Sequence, residues 1–318
     1  MHRIVLQIDG GDIRGIMPAY LLMKIEEHLQ GSINPYLSLI TGTSTGAVIG
    51  GVKASGVPAK TIYEFYINEV IKAFQNKKKR WYFPWTWLSS VYKRSLFVDL
   101  LRSQVGIKKL KESEVPFAAT AYGLCKDESH FIKSWDTTDR NFTFYDVISW
   151  SALSAAYYFG SIPVPNYVWH YATPEGLQDL YTGEVFQDGG QGVNNCTLVY
   201  DLIEILSHGW DDDEIDILSL GCGCPSPDDS ITPYKKAKHI GMIRQIWKYT
   251  GQARRESTPV QVGAGRYVAS KCKNIHFHRL DCTLPKDALN FGMIKYKDLL
   301  LAKAQKLSTH IPYEIFHK

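Results

Sequence analysis

The apolar residues of this chain fall into two kinds of run that alternate along its length. Short, continuously apolar stretches are typical of strands buried on both faces, and they lie at 4–8, 36–41, 116–122 and 215–220. The segments between them show apolar residues at helical spacing, for example Ile62, Phe65, Tyr66, Val70 and Phe74, and later Met293, Leu299, Leu300 and Leu307. This alternation predicts a mainly parallel sheet with helices on both faces, which is a three-layer α/β/α fold.

The composition is that of an ordinary globular protein. Of the 318 residues, 45% are hydrophobic and 21% are charged, and the formal net charge is +4. Such a chain can bury a large core. By its length alone the chain suits one large α/β domain as well as two; we expect one domain over residues 1–318, with the recognisable motifs in 4–223 and C-terminal helices in 224–318. The modest net charge does not indicate a nucleic-acid polymer as a partner.

No membrane span is indicated, since no run approaches the roughly 18 apolar residues of a spanning helix. No signal peptide is indicated either, because the chain starts directly with the predicted strand 4–8. The cysteines show no C-x-x-C pair and no zinc spacing, which is typical of reduced thiols in the cytoplasm. Cys222 and Cys224 are close enough in sequence to bind a metal, but their place at a Leu-Gly-x-Gly strand end favours a structural role. We expect no metal and no cofactor.

The most informative local motif is Gly42-Thr43-Ser44-Thr45-Gly46, which follows the apolar run 36–40. A strand entering this motif and a helix leaving it would hold the Ser44 hydroxyl on a sharp turn, where the helix N-terminus favours developing negative charge. Taken alone, G-x-S-x-G is also compatible with an ordinary turn rich in glycine and serine.

Glycines follow two other predicted strands. The first apolar run leads into Asp9-Gly10-Gly11-Asp12-Ile13-Arg14-Gly15, whose spacing fits neither common nucleotide-phosphate motif. Its free backbone N–H groups suit an oxyanion beside a reactive serine. Farther along, 185–187 leads into Asp188-Gly189-Gly190, where the aspartate taken alone would be interpreted as a turn cap. We expect the same strand-end pattern at 151–159 and 215–223.

Together these segments resemble the patatin-like phospholipase family. The resemblance covers residues 9 to 223 and consists of five blocks in the family's order: Asp9-Gly10-Gly11-x-x-Arg14-Gly15, Gly42-x-Ser44-x-Gly46, the Ser-Ala-x-x-Ala-Ala-x-x-Phe run at 151–159, Asp188-Gly189-Gly190 with Asn194-Asn195, and Ile217-Leu218-Ser219-Leu220-Gly221-x-Gly223. Residues 224–318 carry no motif, although their length suits the family's C-terminal helices and last strand.

The resemblance implies a phospholipase A-type acyl hydrolase that uses a Ser-Asp dyad without histidine. Ser44 would be the nucleophile and Asp188 its only catalytic partner. Gly10, Gly11 and Asp12 would line the oxyanion hole. Arg14 would support that loop, but an ion pair with Asp9 or a helix-end contact suits it equally well. The other supporting residues would be Gly42, Gly46, Gly189 and Gly190.

Position 12 departs from the family's pattern, which usually has a third glycine there. If the position needs a positive φ, aspartate is strained, and its carboxylate would oppose the charge of an oxyanion. Losing one oxyanion donor typically costs roughly 10²–10³-fold in rate. The alternative function is therefore a weakly active or inactive lipid-binding or regulatory protein. An Asp12 that faces solvent would instead be harmless.

The main rival fold is an α/β-hydrolase with a Ser-Asp-His triad. That fold takes an oxyanion donor from the loop after its third strand, so its nucleophile comes later in the chain than Ser44 does. His276, His278 or His310 would complete such a triad only if this argument from order failed. The order of the motifs favours the dyad.

A basic and aromatic stretch at 77–88 differs from its surroundings. Its cations suit anionic headgroups and its indole rings suit the headgroup layer, so we expect peripheral binding of a cytoplasmic protein to a phospholipid membrane surface. The alternative is that the rings pack in the core or in a subunit contact. The predicted membrane contacts are Lys78, Arg80, Trp81, Trp85 and Trp87.

An activator is a further expectation from the resemblance. Some bacterial relatives are switched on by a cyclic nucleotide or by a host protein, so a small-molecule or protein activator is a candidate partner. Residues 254–255 or the cations at 77–80 would suit an anion. No oligomeric state follows from the sequence.

Overall fold

The computed structural model describes residues 1–76, 90–155, 158–173, 176–191, 194–226 and 258–318. The anion contacts considered at 254–255 lie outside the described residues. So do all five predicted membrane contacts, Lys78, Arg80, Trp81, Trp85 and Trp87.

Strands and helices alternate along most of the described chain. The strands are β1 (His2–Ile8), β2 (Leu37–Thr43), β3 (Phe117–Gly123), β4 (Glu128–Lys133), β5 (Ile162–Thr173), β6 (Gly176–Asp188), β7 (Glu214–Leu220), β8 (Cys224–Pro225), β9 (Ile275–Leu280) and β10 (Thr283–Leu284). The helices are α1 (Ile16–Leu29), α2 (Thr45–Ala54), α3 (Ala59–Phe65), α4 (Ile71–Gln75), α5 (Arg94–Val105), α6 (Phe144–Ala152), α7 (Leu198–Ser207), α8 (258–271) and α9 (Lys297–Ser308).

Within the described residues, one large sheet has the strand order β5-β6-β3-β2-β1-β7-β9, and β4 also pairs with β3. The run β3-β2-β1-β7-β9 is parallel throughout. The strands β4 and β6 pair antiparallel with β3, and β5 pairs antiparallel with β6, while β8 pairs separately with β10. The predicted, mainly parallel sheet is thus confirmed.

Helices cover both faces of the sheet, as the residues of β1 show. Ile4 and Leu6 pack into the larger core with α1 and α2, while Val5 between them packs with Leu198 of α7 on the opposite face. Successive side chains of a strand point to opposite faces, so a strand covered on both sides is apolar throughout. The predicted three-layer α/β/α fold is therefore confirmed. None of the described helices combines the length and the apolar character that crossing a bilayer requires.

The segment 151–159 does not form the predicted strand end. Ser151 and Ala152 are the last residues of α6, and the chain turns directly after them. Ser151 and Ser154 are fully buried. The small residues of this segment therefore reflect close packing around a helix end, a requirement that the sequence pattern does not distinguish from a strand end.

The strands β2 and β6 meet end to end along one side of β3. Thr43 at the end of β2 pairs with Thr120, and Asp188 at the end of β6 pairs with the next residue, Ala121. The other side of β3 is occupied by β4. Because β2 is parallel to β3 and β6 is antiparallel to it, the carboxyl ends of β2 and β6 face each other. This topology brings Ser44, which follows Thr43, to Asp188.

Candidate active site

Ser44 lies on a sharp turn between β2 and α2. Its backbone has φ 54° and ψ −120°, a strained conformation for a residue with a side chain. A Cβ on Gly42 would lie 2.4 Å from the carbonyl carbon of Gly46, and a Cβ on Gly46 would lie 2.1 Å from the carbonyl oxygen of Ile8. The G-x-S-x-G motif is therefore required by close backbone packing around a strained serine, as in known nucleophile turns.

The side chain of Asp188 contacts the Ser44 hydroxyl directly. Ser44 Oγ donates to Asp188 Oδ2 at 2.7 Å, and Asp188 Oδ1 accepts the N–H of Gly190 at 2.7 Å. A Cβ on Gly189 would approach Thr120 Oγ1 to 2.2 Å, so a larger residue there would displace the turn that carries the carboxylate. The structure thus brings the two predicted catalytic residues together, while their catalytic roles stay a prediction.

Buried hydroxyl groups support this junction. The Oγ1 atoms of Thr43 and Thr120 are 2.6 Å apart, and Thr43 Oγ1 donates to the carbonyl oxygen of Asn194 at 2.6 Å. Ser151 Oγ accepts the backbone N–H of Ser44 at 3.1 Å. Sequence reasoning assigned no role to these side chains. The one sequence feature that could have indicated a role for Ser151 is its place in one of the five motif blocks.

The glycine-rich loop after β1 lies beside Ser44. A Cβ on Gly10 would lie 3.3 Å from Cβ of Ser44. However, the Gly10 N–H donates to the carbonyl oxygen of Asn195 at 3.0 Å, so in this conformation it does not face an oxyanion as expected. The loop that follows Asp188 supplies an acceptor for it instead. The proposed donor roles of Gly11 and Asp12 stay predictions.

Arg14 supports the same loop through backbone oxygens. Its Nε donates to the carbonyl oxygen of Gly11 at 3.0 Å, and its Nη1 donates to that of Gly223 at 3.4 Å. The ion pair with Asp9 that was considered for Arg14 is made by Arg279 of β9, whose side chain is 6% exposed. Arg279 was missed because no local motif marks it. Only the pairing of distant strands brings it to Asp9.

Asp12 adopts φ 48°, so position 12 does lie in the backbone region that favours glycine. Its Oδ1 accepts the N–H of the neighbouring Ile13, and its Oδ2 accepts the N–H of Gly292 at 3.3 Å. The residue is 8% exposed. The alternative of a solvent-facing Asp12 is therefore wrong, because the carboxylate is turned inward toward the C-terminal part of the chain.

A partly open apolar pocket with a cavity volume of about 50 Å³ lies beside Ser44. Burial raises the pKa of its Tyr66 well above the usual value, so this phenol stays neutral. The pocket thus presents a mostly apolar surface beside the serine hydroxyl. The pocket is lined by Asp12, Ser44, Thr45, Val48, Phe65, Tyr66, Val70, Phe74, Phe97, Leu100, Leu101, Ala152, Leu153, Phe159 and Phe291.

The histidines considered for a triad contact other partners. His278 Nε2 lies 2.7 Å from Oδ1 of Asp216, and His276 contacts Glu214. Both acids are near the start of β7, whereas Ser44 lies at the opposite end of the sheet, after the end of β2. His310 hydrogen-bonds within the turn after α9. The triad alternative is therefore wrong for these histidines.

The thiols considered as metal ligands contact backbone oxygens. Cys222 Sγ donates to the carbonyl oxygen of Asp9 at 3.2 Å, and Cys224 Sγ lies 3.6 Å from that of Cys282. Across the described part of the chain, no group of three or more His, Cys, Asp or Glu side chains is arranged to hold a metal ion.

Comparison with known proteins shows which protein family the chain belongs to. A model of the patatin-like phospholipase family matches residues 6–200, which include Ser44 and Asp188, and the chain belongs to this family. Patatin-like protein 4 of Arabidopsis thaliana is 28% identical over 212 residues, which cover 61% of this chain and 50% of that protein. Patatin-2-Kuras 3 of Solanum tuberosum is 24% identical over 268 residues, covering 76% and 66%. The chain thus spans only about half to two thirds of the length of these relatives.

Two solved structures are more distant neighbours. VipD from Legionella pneumophila aligns with a TM-score of 0.39 and 12% identity, covering 96% of this chain and 67% of that one. The type III effector ExoU aligns with a TM-score of 0.30 and 12% identity, covering 46% and 38%. At such scores, no residue role is transferred from either neighbour.

Proposed function

We propose that this protein is a phospholipase A-type acyl hydrolase that cleaves acyl esters of membrane glycerophospholipids. The observation that carries the proposal is the 2.7 Å hydrogen bond from Ser44 Oγ to Asp188 Oδ2, beside a pocket with apolar walls. This arrangement supplies a nucleophile and a proton acceptor at one point, and the apolar walls beside them suit an acyl chain. Membership of the patatin-like phospholipase family supports the lipid substrate.

In the proposed reaction, Asp188 takes the hydroxyl proton as Ser44 Oγ attacks the ester carbonyl carbon. The tetrahedral intermediate breaks its bond to the alcohol oxygen, which leaves as a lysophospholipid with the proton from Asp188. Water then attacks the acyl-Ser44 ester and gives a proton to Asp188. Release of the fatty acid returns this proton to Ser44 Oγ.

The oxyanion in this reaction needs N–H donors close to Ser44 Oγ. The N–H groups of Gly10 and Ser44 are engaged by Asn195 and Ser151 in this conformation. Gly11 and Asp12 are therefore the proposed donors. The first turn of α2 follows Ser44 immediately, and its positive dipole end favours negative charge at the same place.

Asp12 supports a second candidate, in which the protein is weakly active or inactive and requires an activator. The side chain of this residue lines the same pocket as Ser44, and its backbone has φ 48°. If its charge opposes the oxyanion, Asp12→Gly should raise kcat by roughly two orders of magnitude for short and long acyl esters alike. Robust activity of the wild type together with an unchanged kcat in Asp12→Gly would exclude this candidate.

Labelling combined with turnover tests the main proposal. A fluorophosphonate probe should label Ser44 in the wild type, and phospholipid vesicles should release fatty acid and lysophospholipid. Ser44→Ala should abolish both signals. Ser103→Ala, at an exposed serine of α5, is the matched control and should change neither. Labelling at another serine, or equal hydrolysis by Ser44→Ala, would contradict the proposal.

The membrane surface is the proposed partner, and the protein would bind it peripherally from the cytoplasm. The support is the basic and aromatic composition of residues 77–88. Replacing Trp85 and Trp87 with alanine should weaken sedimentation with anionic vesicles and leave hydrolysis of a soluble short-chain ester unchanged. An equal loss of both would show instead that the stretch belongs to the core.

A further inference from the structure

The aspartate at position 12 has a partner in the C-terminal part of the chain. Its Oδ2 accepts the N–H of Gly292 at 3.3 Å, across 280 positions of sequence. Gly292 lies in a turn before α9, beyond the span 6–200 that the family model matches. The side chain that departs from the family's glycine pattern is thus bonded to a segment outside the matched region.

The turn at Gly292 strongly favours glycine. Its φ is +69°, and a Cβ there would lie 2.5 Å from the hydroxyl of Tyr92. Burial raises the pKa of Tyr92 to about 12, and the negative charge of Asp12 adds to this shift. Tyr92 therefore stays neutral beside the carboxylate. Asp12, Tyr92 and Gly292 are packed as one group around this turn.

The preceding residue, Phe291, forms part of the pocket wall. Its ring stacks on Tyr158 with centroids 3.7 Å apart and planes 10° apart. It also meets Phe74 edge to face at 5.6 Å. The position of this ring is therefore fixed from two directions, by its aromatic neighbours and by the backbone turn that Asp12 holds.

We propose that Asp12 is a specificity-determining residue for the acyl chain. Its carboxylate holds the 291–292 turn against the pocket, and this keeps the Phe291 ring in place as a wall that narrows the pocket. Because the cavity is only about 50 Å³ and a chain bent by a cis double bond needs more width than a straight one, the narrowed pocket favours straight, saturated chains over bent ones. This inference rests on the proposed function, because it assigns the same pocket to the acyl chain.

Two variants of Asp12 separate its hydrogen bond from its charge, and a third variant tests the Phe291 ring itself. The readout is the ratio of kcat/KM for palmitoleoyl and palmitoyl esters, which have equal chain length but differ in shape. Phe291→Ala should raise this ratio by roughly tenfold, in the range expected for the loss of pocket contacts. Asp12→Gly, which lacks the acceptor, should raise it in the same direction. Asp12→Asn keeps an acceptor oxygen and tolerates positive φ, so it should keep the wild-type ratio.

A double variant tests whether the two residues act on one wall. Asp12→Gly combined with Phe291→Ala should shift the ratio no further than Phe291→Ala alone, because residues that act through the same element are not additive. An additive shift would overturn the proposal. An unchanged ratio in folded Phe291→Ala would overturn it too, as would an Asp12→Asn shift as large as that of Asp12→Gly. If Phe291→Ala does not fold, Phe291→Leu should show a smaller shift of the same sign.

A binding measurement keeps this inference separate from the proposed function. The dissociation constants of palmitate and palmitoleate, measured by calorimetry, should show the same change of ratio without any turnover. A wild type that neither hydrolyses esters nor labels at Ser44 would contradict the proposed function. A wild type that labels at Ser44, with an unshifted binding ratio in Asp12→Gly and Phe291→Ala, would contradict only the role of Asp12 in selecting the chain.

Discussion

The two ends of the central sheet each bury an aspartate, but in opposite surroundings. At the carboxyl end, Asp188 accepts hydrogen bonds from the hydroxyl of Ser44 and the N–H of Gly190, which are uncharged donors. At the amino end, Asp216 contacts the side chains of His2, His278 and Lys318, at 2.7, 2.7 and 2.8 Å. Burial alone would raise the pKa of Asp216, but hydrogen bonds from these three side chains lower it well below its usual value.

The difference shows that the partners of a buried carboxylate determine whether it keeps its charge or is placed to accept a proton. A carboxylate that accepts hydrogen bonds from His2, His278 and Lys318 keeps its charge and resists a proton, so Asp216 is suited to joining β7, β9 and the chain's two terminal segments. A carboxylate beside a hydroxyl is placed to accept that proton, as the proposed role of Asp188 requires. Ser44 and Asp12 at the carboxyl end also have positive φ.

The largest expected effect lies at the carboxyl end. Ser44→Ala and Asp188→Asn should each lower kcat by about 10⁴-fold or more, and the double variant should lose little beyond either single change, because a catalytic pair acts as one unit. Initial rates on a soluble ester measure this. Asp216→Asn, assayed well below its unfolding temperature, is the control and should keep its kcat.

If the double variant loses the sum of the two single losses in free energy, Ser44 and Asp188 act independently, and the proposed dyad fails. If Asp216→Asn loses activity as a folded protein, the functional distinction between the two ends of the sheet fails as well.

The second effect lies at the amino end and concerns stability. Breaking a buried ion pair typically costs 3–5 kcal/mol, but the side chains of His2, His278 and Lys318 all reach water, so Asp216→Asn should lower the free energy of unfolding by about 2 kcal/mol. The folded-state pKa of Asp216 is lowered. The stabilisation is therefore present above its usual pKa of about 4 and is lost as the pH falls below it.

Urea unfolding at several pH values measures this contribution. The difference between wild type and Asp216→Asn should be full at neutral pH and should shrink in acid. Asp188→Asn is the matched comparison and should cost less stability. An equal loss at both positions, or a difference that persists unchanged in acid, would show that the contacts with His2, His278 and Lys318 do not set the two aspartates apart.

Most of the fold could be predicted from the sequence because burial on both faces leaves continuous apolar runs. The strands β1, β2, β3 and β7 were found in this way. The edge strand β4 was not, because most of its residues are partly exposed, and neither was the β5–β6 hairpin apart from the end of β6. The motif-like spacing at 151–159 was misread because small residues serve a helix end as well as a strand end.

The residues of the candidate site also fall into two groups, those that local sequence predicted and those that it did not. Ser44 and Asp188 were found because each is embedded in glycines that the local backbone requires. Ser151, Arg279 and Phe291 were not assigned roles, because they come to the site through helix packing, strand pairing and a distant turn. Local sequence carries the constraints of a turn, but it does not carry the identity of a partner more than a hundred positions away.

The last effect concerns a third buried carboxyl, Asp201 of α7, which lies behind the sheet and is fully buried. Burial raises its pKa well above the usual value, and the neighbouring hydroxyl of Thr41 only partly opposes this. Between its unfolded pKa of about 3.9 and its higher folded pKa, folding takes up a proton. The free energy of unfolding therefore falls by about 1.4 kcal/mol for each unit of rising pH in that window. Asp201→Asn should remove this slope and be more stable than the wild type at neutral pH. The exposed Asp211→Asn is the control, and a wild-type slope retained by Asp201→Asn would show that Asp201 folds in its charged form.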